Sequence, residues 1–301
     1  MIEVRVPATT ANLGPGFDSL GLALDLWNET QFSVMGEGLN VTVVGEGEDE
    51  LPQNRRNLIA AASRRTFERA GQEEIANLRI ACRNNIPLRS GLGSSSAAVL
   101  TGILGANALM GNPLDEDQVL SLAVELEGHP DNIASALYGG LVIVSSGDGN
   151  ITHQVDIPAW QVAVVLPNIK LKTKQARQAL PEQVTRQDAV FNLGRSLLVV
   201  AALREGNAQL LADAMEDRLH ESYRYALIPG AKKAIAAARE MGAAAALSGA
   251  GPSVAAFVQE GGESVAERMA EVFSGEGLET RRFVFSSANR GAQVNTKDQS
   301  V

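Results

Sequence analysis

A single cysteine, Cys82, stands in a chain of 301 residues. That excludes an intrachain disulfide, and no Cys/His cluster has the spacing of a zinc site. Aromatic residues are scarce at 4%, which argues against nucleic-acid binding through stacked bases. Basic residues are outnumbered, 26 Lys and Arg against 35 Asp and Glu, for a net charge of −9. An acidic surface opposes broad contact with nucleic acid or anionic lipid. No uninterrupted apolar run reaches the length of a bilayer span. The opening Met1-Ile2-Glu3-Val4-Arg5 alternates like a strand and lacks the apolar core of a signal peptide. A soluble, cytoplasmic protein is expected, with neither nucleic acid nor membrane as partner. No Gly-x-x-x-x-Gly-Lys-Ser/Thr occurs anywhere, so a P-loop lysine is excluded.

What remains is ordinary for a globular chain of one large or two average domains: 45% apolar, 20% charged, and rich in glycine at 29 residues. Strand patterns occur at Ile2–Val6, Leu20–Trp27, Thr30–Met35, Val41–Val44 and Leu78–Cys82. Asn57 is placed to cap a helix through Ala70, with Gly71 as its stop. Ser95–Met110 reads as a helix of small and apolar residues that must be buried nearly all round. A helix from Pro113 or Leu114 carries Asp115, Glu116 and Asp117 in its first turn, where acids favour the dipole, and ends near Gly128. Pro130 opens another that reaches Tyr138, and Leu141–Ser145 resumes a strand. In the second half, Val162–Leu166, Ala244–Leu247, Val254–Val258 and Leu278–Phe285 read as strands. Lys174–Leu180, Ala189–Arg204, Asn207–Arg224, Ala231–Met241 and Glu263–Phe273 read as helices. The polar tail from Asn289 is expected to fray. The turn cluster Gly147-Asp148-Gly149-Asn150 suggests a boundary near 150–160. Without strict βα alternation, the pattern favours an α+β fold in two lobes, 1–155 and 156–301.

One stretch carries more information than the rest: Pro87-Leu88-Arg89-Ser90-Gly91-Leu92-Gly93-Ser94-Ser95-Ser96-Ala97. A polar, glycine-punctuated turn runs straight into a helix. Gly91 and Gly93 permit positive φ and a ligand's close approach, Ser94 to Ser96 offer hydroxyls where the helix begins, and a helix N-terminus presents unpaired N–H groups that suit a phosphate. Taken alone, the stretch also fits a Gly/Ser turn that merely caps a buried helix.

Two further segments decide between these. They are Pro7-Ala8-Thr9-Thr10-Ala11-Asn12-Leu13-Gly14-Pro15-Gly16-Phe17-Asp18-Ser19-Leu20-Gly21 and Leu247-Ser248-Gly249-Ala250-Gly251-Pro252-Ser253. The ordered trio, spanning almost the full length, resembles the GHMP kinases. Glu127-Gly128-His129-Pro130-Asp131-Asn132, Thr173-Lys174-Gln175-Ala176-Arg177 and His220-Glu221-Ser222-Tyr223-Arg224 narrow the resemblance to the homoserine-phosphorylating branch. The resemblance implies an N-terminal lobe like ribosomal protein S5 domain 2, a ferredoxin-like C-terminal lobe and a site between them. It also implies ATP-dependent phosphorylation of the L-homoserine hydroxyl on the threonine pathway, with Mg²⁺, in an enzyme whose relatives often form homodimers. A GHMP kinase for mevalonate or shikimate, and a non-catalytic metabolite sensor of the same fold, are the alternatives.

On that resemblance, Pro87, Leu88, Arg89, Ser90, Gly91, Leu92, Gly93, Ser94, Ser95, Ser96 and Ala97 wrap the ATP phosphates, and Gly249 and Gly251 of the third motif close over them. Ser95 and Glu127 meet the metal, a hard cation that takes oxygen ligands; Glu125, on another side of the helix, is the alternative to Glu127. Arg177 and Arg224 grip the substrate carboxylate, which a guanidinium matches bidentately. Asn12, His129 and Asn132 add neutral polar contacts. Asp18 orients the reacting hydroxyl. Asp131 lies where some relatives keep an aspartate–lysine base, but no lysine is near in sequence. Its role is then to fix Asn132 and the start of the next helix, or to hold a water near the metal, since phosphoryl transfer needs little early proton abstraction. Thr173 borders the same gap. Asn57 and Val41–Val44 are expected near the adenine.

Overall fold

The computed structural model describes residues 1–34, 36–147 and 149–296. The first half holds β1 (Ile2–Ala11), β2 (Leu20–Val34), β3 (Asn40–Gly45), α1 (Leu58–Arg69), β4 (Leu78–Asn84), α2 (Ser94–Leu109), α3 (Glu116–Glu127), α4 (Asp131–Tyr138), β5 (Leu141–Gly147) and β6 (Gly149–Val155). The second holds β7 (Gln161–Pro167), α5 (Thr173–Gln178), α6 (Arg186–Glu205), α7 (Ala208–Ala214), α8 (Glu221–Arg224), α9 (Ala231–Glu240), β8 (Ala244–Leu247), β9 (Val254–Val258), α10 (Gly262–Gly275), β10 (Thr280–Ser286) and β11 (Gln293–Thr296).

Two sheets result. The first runs β11-β1-β2-β4-β3, with β5 and β6 branching from β2; the second runs β10-β7-β9-β8. The second sheet, with helices between β7 and β8 and between β9 and β10, is the split βαβ arrangement expected of a ferredoxin-like lobe. The two sheets are joined through a shared apolar core. Along β7, Val162 and Val164 point into the core of the first lobe, while Ala163 and Val165 point into a second core with α9 and α10. Alternate residues of a strand face opposite sides, so a strand buried on both faces reads as a continuous apolar run. The Val162–Leu166 run therefore belongs at the centre of the molecule.

Local chemistry sets the ends of the helices that border the site. Asn57 accepts from the Ile59 N–H at 3.0 Å and caps α1. Asp115 and Gln118 form a capping box at α3, so Asp115 precedes the helix and Pro113 and Leu114 lie outside it. Pro130 likewise precedes α4.

Several expectations need correction. The two strands expected at Leu20–Trp27 and Thr30–Met35 are one strand, β2, because both halves pair with β1 across a register shift at Pro7/Ala8; Met35 lies outside the described residues. Gly147 and Gly149 pair at the tip of a β5–β6 hairpin, so that turn cluster lies within the first sheet, with Asp148 outside the described residues. The helix expected over Asn207–Arg224 stops at Ala214 and restarts at Glu221, because the Asp217 carboxylate accepts the N–H groups of Leu219, His220 and Glu221. The tail is not frayed over Gln293–Thr296, which pair with Arg5–Ile2 of β1.

Candidate active site

The glycine-rich loop before α2 is built by close backbone approach. Gly93 closes it in the left-handed region, φ 71°, and no side chain caps α2. The first-turn N–H groups of α2 at Ser94, Ser95 and Ser96 have no intrahelical carbonyl to bond. They face a cavity of about 150 Å³ also lined by Asn12, Asp18, Glu127, His129, Asp131, Asn132, Thr173, Arg177, Arg224 and Gly249. The glycines are needed for a different reason than ligand access. A Cβ on Gly91 would collide with the Ser248 carbonyl oxygen and lie 2.9 Å from that of Gly251, and one on Gly93 would collide with Thr9 Oγ1. The loop is pressed against protein on the side where side chains would project.

That pressure joins the first and third motifs. Ser248 donates from Oγ to the Gly91 carbonyl at 2.8 Å, and the Gly249 N–H reaches the Ala11 carbonyl at 3.1 Å. Asn12 completes the junction. Its Nδ2 donates to the Gly249 carbonyl at 2.8 Å, and its Oδ1 accepts the Asp18 N–H at 3.1 Å. Asn12, Leu13 and Asp18 all hold positive φ, 69°, 46° and 54°, strain that the bonds around them must sustain.

Some loop residues are withdrawn from any ligand. Leu92 and Ala97 are fully buried. The Leu92 N–H is committed to Ser90 Oγ and the Ala97 N–H to the Gly93 carbonyl. Gly251 packs against Ile228 and Leu171 and does not line the cavity. Pro87 and Leu88 line the neighbouring outer clefts. Arg89 borders the cavity and pairs with Glu50.

At the far wall α3 ends with Glu127 aimed at the loop. Ser95 donates to Glu127 Oε2 at 2.8 Å and Ser96 to Oε1 at 2.9 Å. Glu125 turns away and pairs with Arg65 and Arg69 of α1. His129 Nε2 lies 3.6 Å from Glu127, and Nδ1 lies 3.3 Å from Asp131 but is not aligned for a hydrogen bond. Burial opposes charge on this imidazole; Asp131 and Glu127 outweigh it and hold the His129 pKa above its ordinary value. Asp131, itself buried, accepts the Asn132 N–H at 2.8 Å, and no lysine among the described residues lines the cavity. Asn132 accepts from Thr9 Oγ1 at 2.7 Å.

The third wall carries the arginines. Arg177 reaches across from α5 to grip Asp18 bidentately, at 2.7 and 2.9 Å. The mutual charge and hydrogen bonding hold the guanidinium pKa above its ordinary value. Arg224, 1% exposed, donates to the Gly249 carbonyl at 3.1 Å and to His220 Nδ1 at 3.0 Å. Burial and the neighbouring Arg177 push its pKa down to about 10. A separate apolar cleft of about 190 Å³ opens beside Ser94 and Ser95, lined by Leu51, Asn57, Leu58, Ile59, Cys82 and Leu88 among others. Asn57 lines this cleft, with its side chain occupied in capping. Val41–Val44 are not in the lining; Cys82 of the paired strand takes that place.

Comparison with known proteins settles what this junction belongs to. Family models for the GHMP kinases N terminal domain and GHMP kinases C terminal match residues 57–140 and 199–275. A homoserine kinase of Moorella thermoacetica is 42% identical over 295 residues, covering 97% of this chain and 99% of the relative. The chain belongs to the homoserine kinase family of the GHMP kinases. A homoserine kinase of Carboxydothermus hydrogenoformans is 40% identical, with 97% and 96% covered. The crystal structure of homoserine kinase from Cytophaga hutchinsonii superposes with a TM-score of 0.85 at 30% identity, with 98% and 97% covered. A mevalonate kinase structure, TM-score 0.70 at 15% identity, shares the fold.

The protein is therefore a kinase with ATP as co-substrate. Of the residues expected at its site, Asn12, Asp18, Ser95, Glu127, His129, Asp131, Asn132, Arg177, Arg224 and Gly249 converge on one cavity. Sequence reasoning gave no role to Phe17, whose ring lies 5.4 Å from the Arg224 guanidinium and 5.8 Å from that of Arg177. Thr9 and Thr10 were missed as partners behind the loops, while Ser248 belongs to the third motif. All lie inside or next to the three motifs, so position in a motif was the available signal.

Proposed function

We propose that the kinase transfers the terminal phosphoryl group of ATP to the side-chain hydroxyl of L-homoserine, giving O-phospho-L-homoserine. The observation that carries this is the placement of an uncapped α2 N-terminus, a serine-bound carboxylate and two arginines around one cavity. The N–H groups at Gly93–Ser96 bind the β- and γ-phosphates, and the apolar cleft beside Ser94 takes the adenine. Arg177 and Arg224 receive the substrate carboxylate. Asp18, already oriented by Arg177, aligns the hydroxyl for in-line attack. The residues 1–155 form the nucleotide lobe and 156–301 the second lobe, with β11 returning to the first sheet.

The donor set suits Mg²⁺. Glu127 and Ser95 would hold the ion, offering one carboxylate and one hydroxyl, the oxygen ligands a hard cation takes. No group of three or more His, Cys, Asp or Glu able to hold a metal occurs among the described residues, as suits an ion carried in with the nucleotide. When bound, the ion would neutralise charge developing between the phosphates. Asp131 holds Asn132 and the start of α4, which leaves orientation and charge stabilisation as the sources of rate. A coupled ADP-release assay with homoserine, mevalonate, shikimate, galactose and threonine tests the reading. Turnover of homoserine is expected, and turnover of another alcohol without homoserine would sink it.

A further inference from the structure

His220 is fully buried, does not line the cavity and has been given no role in the chemistry above. Its two ring nitrogens nevertheless meet two parts of the site. Nε2 lies 2.8 Å from the carbonyl oxygen of Gly14, in the loop that carries Asn12 and Asp18. Nδ1 lies 3.0 Å from Arg224 Nη1. A carbonyl can only accept and a guanidinium can only donate. The ring must therefore carry its proton on Nε2 and present a lone pair at Nδ1. Neither the other tautomer nor the imidazolium satisfies both partners.

The surroundings enforce this. Phe17 stacks on the imidazole at 5.1 Å between centroids. Asp217 approaches Nε2 only to 3.7 Å. Its oxygens are occupied by the N–H groups of Leu219, His220 and Glu221 and by Asn192 Nδ2. Burial pushes the His220 pKa down to about 4; Asp217 and Asp18 favour the charge, and Arg224 opposes it. Arg224 in turn donates to the Gly249 carbonyl, so a single imidazole links the Asn12–Asp18 loop to the third motif through a guanidinium.

We infer that His220, as the neutral Nε2–H tautomer, is a positioning residue that fixes Arg224 and the Asn12–Asp18 loop in register for the acceptor substrate. The inference rests on the function proposed above, and it deepens it. An acceptor at Nδ1 keeps Arg224 from turning, and a donor at Nε2 holds the turn that presents Asp18. Neither bond touches the nucleotide side of the cavity.

Two measurements test it on the full-length protein. The chain has only 3 histidines, so ¹⁵N spectra of the imidazoles assign His220 by its loss in His220→Ala. The expected signal at neutral pH is a protonated Nε2 and an unprotonated Nδ1. Kinetically, His220→Ala should raise the homoserine KM about tenfold, the equivalent of one lost hydrogen bond to a charged group, with the ATP KM within about twofold. His220→Asn, whose Oδ1 stands near the Nδ1 position, should recover most of that loss. A proton on Nδ1, an imidazolium, or equal damage to both KM values in both variants overturns the inference. Absence of homoserine turnover beside the expected tautomer overturns the substrate reading alone.

Discussion

Gly91→Ala places a methyl group where the Ser248 carbonyl stands. The collision lies well inside the 3.0 Å that real Cβ atoms respect, and the Gly251 carbonyl at 2.9 Å blocks the other way out. Both obstacles are backbone, so no rotamer change relieves them. The two turns must part, which breaks the Ser248 Oγ–Gly91 bond and the Ser253 N–H bond to the Ser90 carbonyl. Two buried hydrogen bonds contribute about 1 kcal/mol each. Forcing a side chain into the left-handed region at φ 80° costs roughly 1–2 kcal/mol more. The expected loss is about 3–4 kcal/mol. Gly277→Ala is the control. Its φ is 76° and open space surrounds it, so it carries the strain without the collision. Chemical denaturation followed by circular dichroism should place Gly91→Ala about 2 kcal/mol below Gly277→Ala, and the ATP KM should rise only in the former. Equal stability of the two variants would refute the claim that the glycine turns are locked by contact.

Glu127→Gln leaves one acceptor for the hydroxyls of Ser95 and Ser96 and removes the charge offered to a cation; kcat should fall on the order of a hundredfold, with partial rescue by high Mg²⁺ in steady-state assays. Arg177→Ala removes a donor to the acceptor substrate and releases Asp18, so the homoserine KM should rise about tenfold or more while the ATP KM holds. Glu221, wholly buried, accepts the Leu247 N–H at 2.6 Å, and burial pushes its pKa up to about 7. A carboxyl with a raised folded pKa binds more protons folded than unfolded between pH 4.5 and 7, so stability falls as pH rises through that window. The loss is on the order of 3 kcal/mol. Glu221→Gln keeps an acceptor for Leu247 and should flatten that part of a urea-denaturation pH profile; an unchanged slope would assign it to other groups.

Much of the site was legible because its chemistry is local. The glycine- and serine-rich turn before an apolar helix and Glu127 at the end of α3 are each readable from neighbours close in sequence, and both line the cavity. Pairing was not legible. Asp18 and Arg177 are 159 residues apart, and nothing in either neighbourhood indicates that each is the other's partner. The helix expected over Asn207–Arg224 failed for a related reason. Its periodicity is helical, but Asp217 offers backbone N–H groups a better acceptor than the next turn would. The tail after Asn289 looked unstructured because a short polar edge strand acquires its reason only from β1 beside it.

Period, capping and turn chemistry act over a few residues, so most of the strands and helices, Asn57 as the cap of α1 and the glycine turn that opens α2 were determined by the chain alone. Contact across the two sheets acts over hundreds of residues. Only the tertiary structure decided that Gly91 is a glycine because of Ser248, that Glu125 serves α1 while Glu127 serves the loop, and that a buried histidine has one permitted tautomer. Each depends on where an acceptor or a backbone oxygen lands in space, which spacing along the chain does not encode.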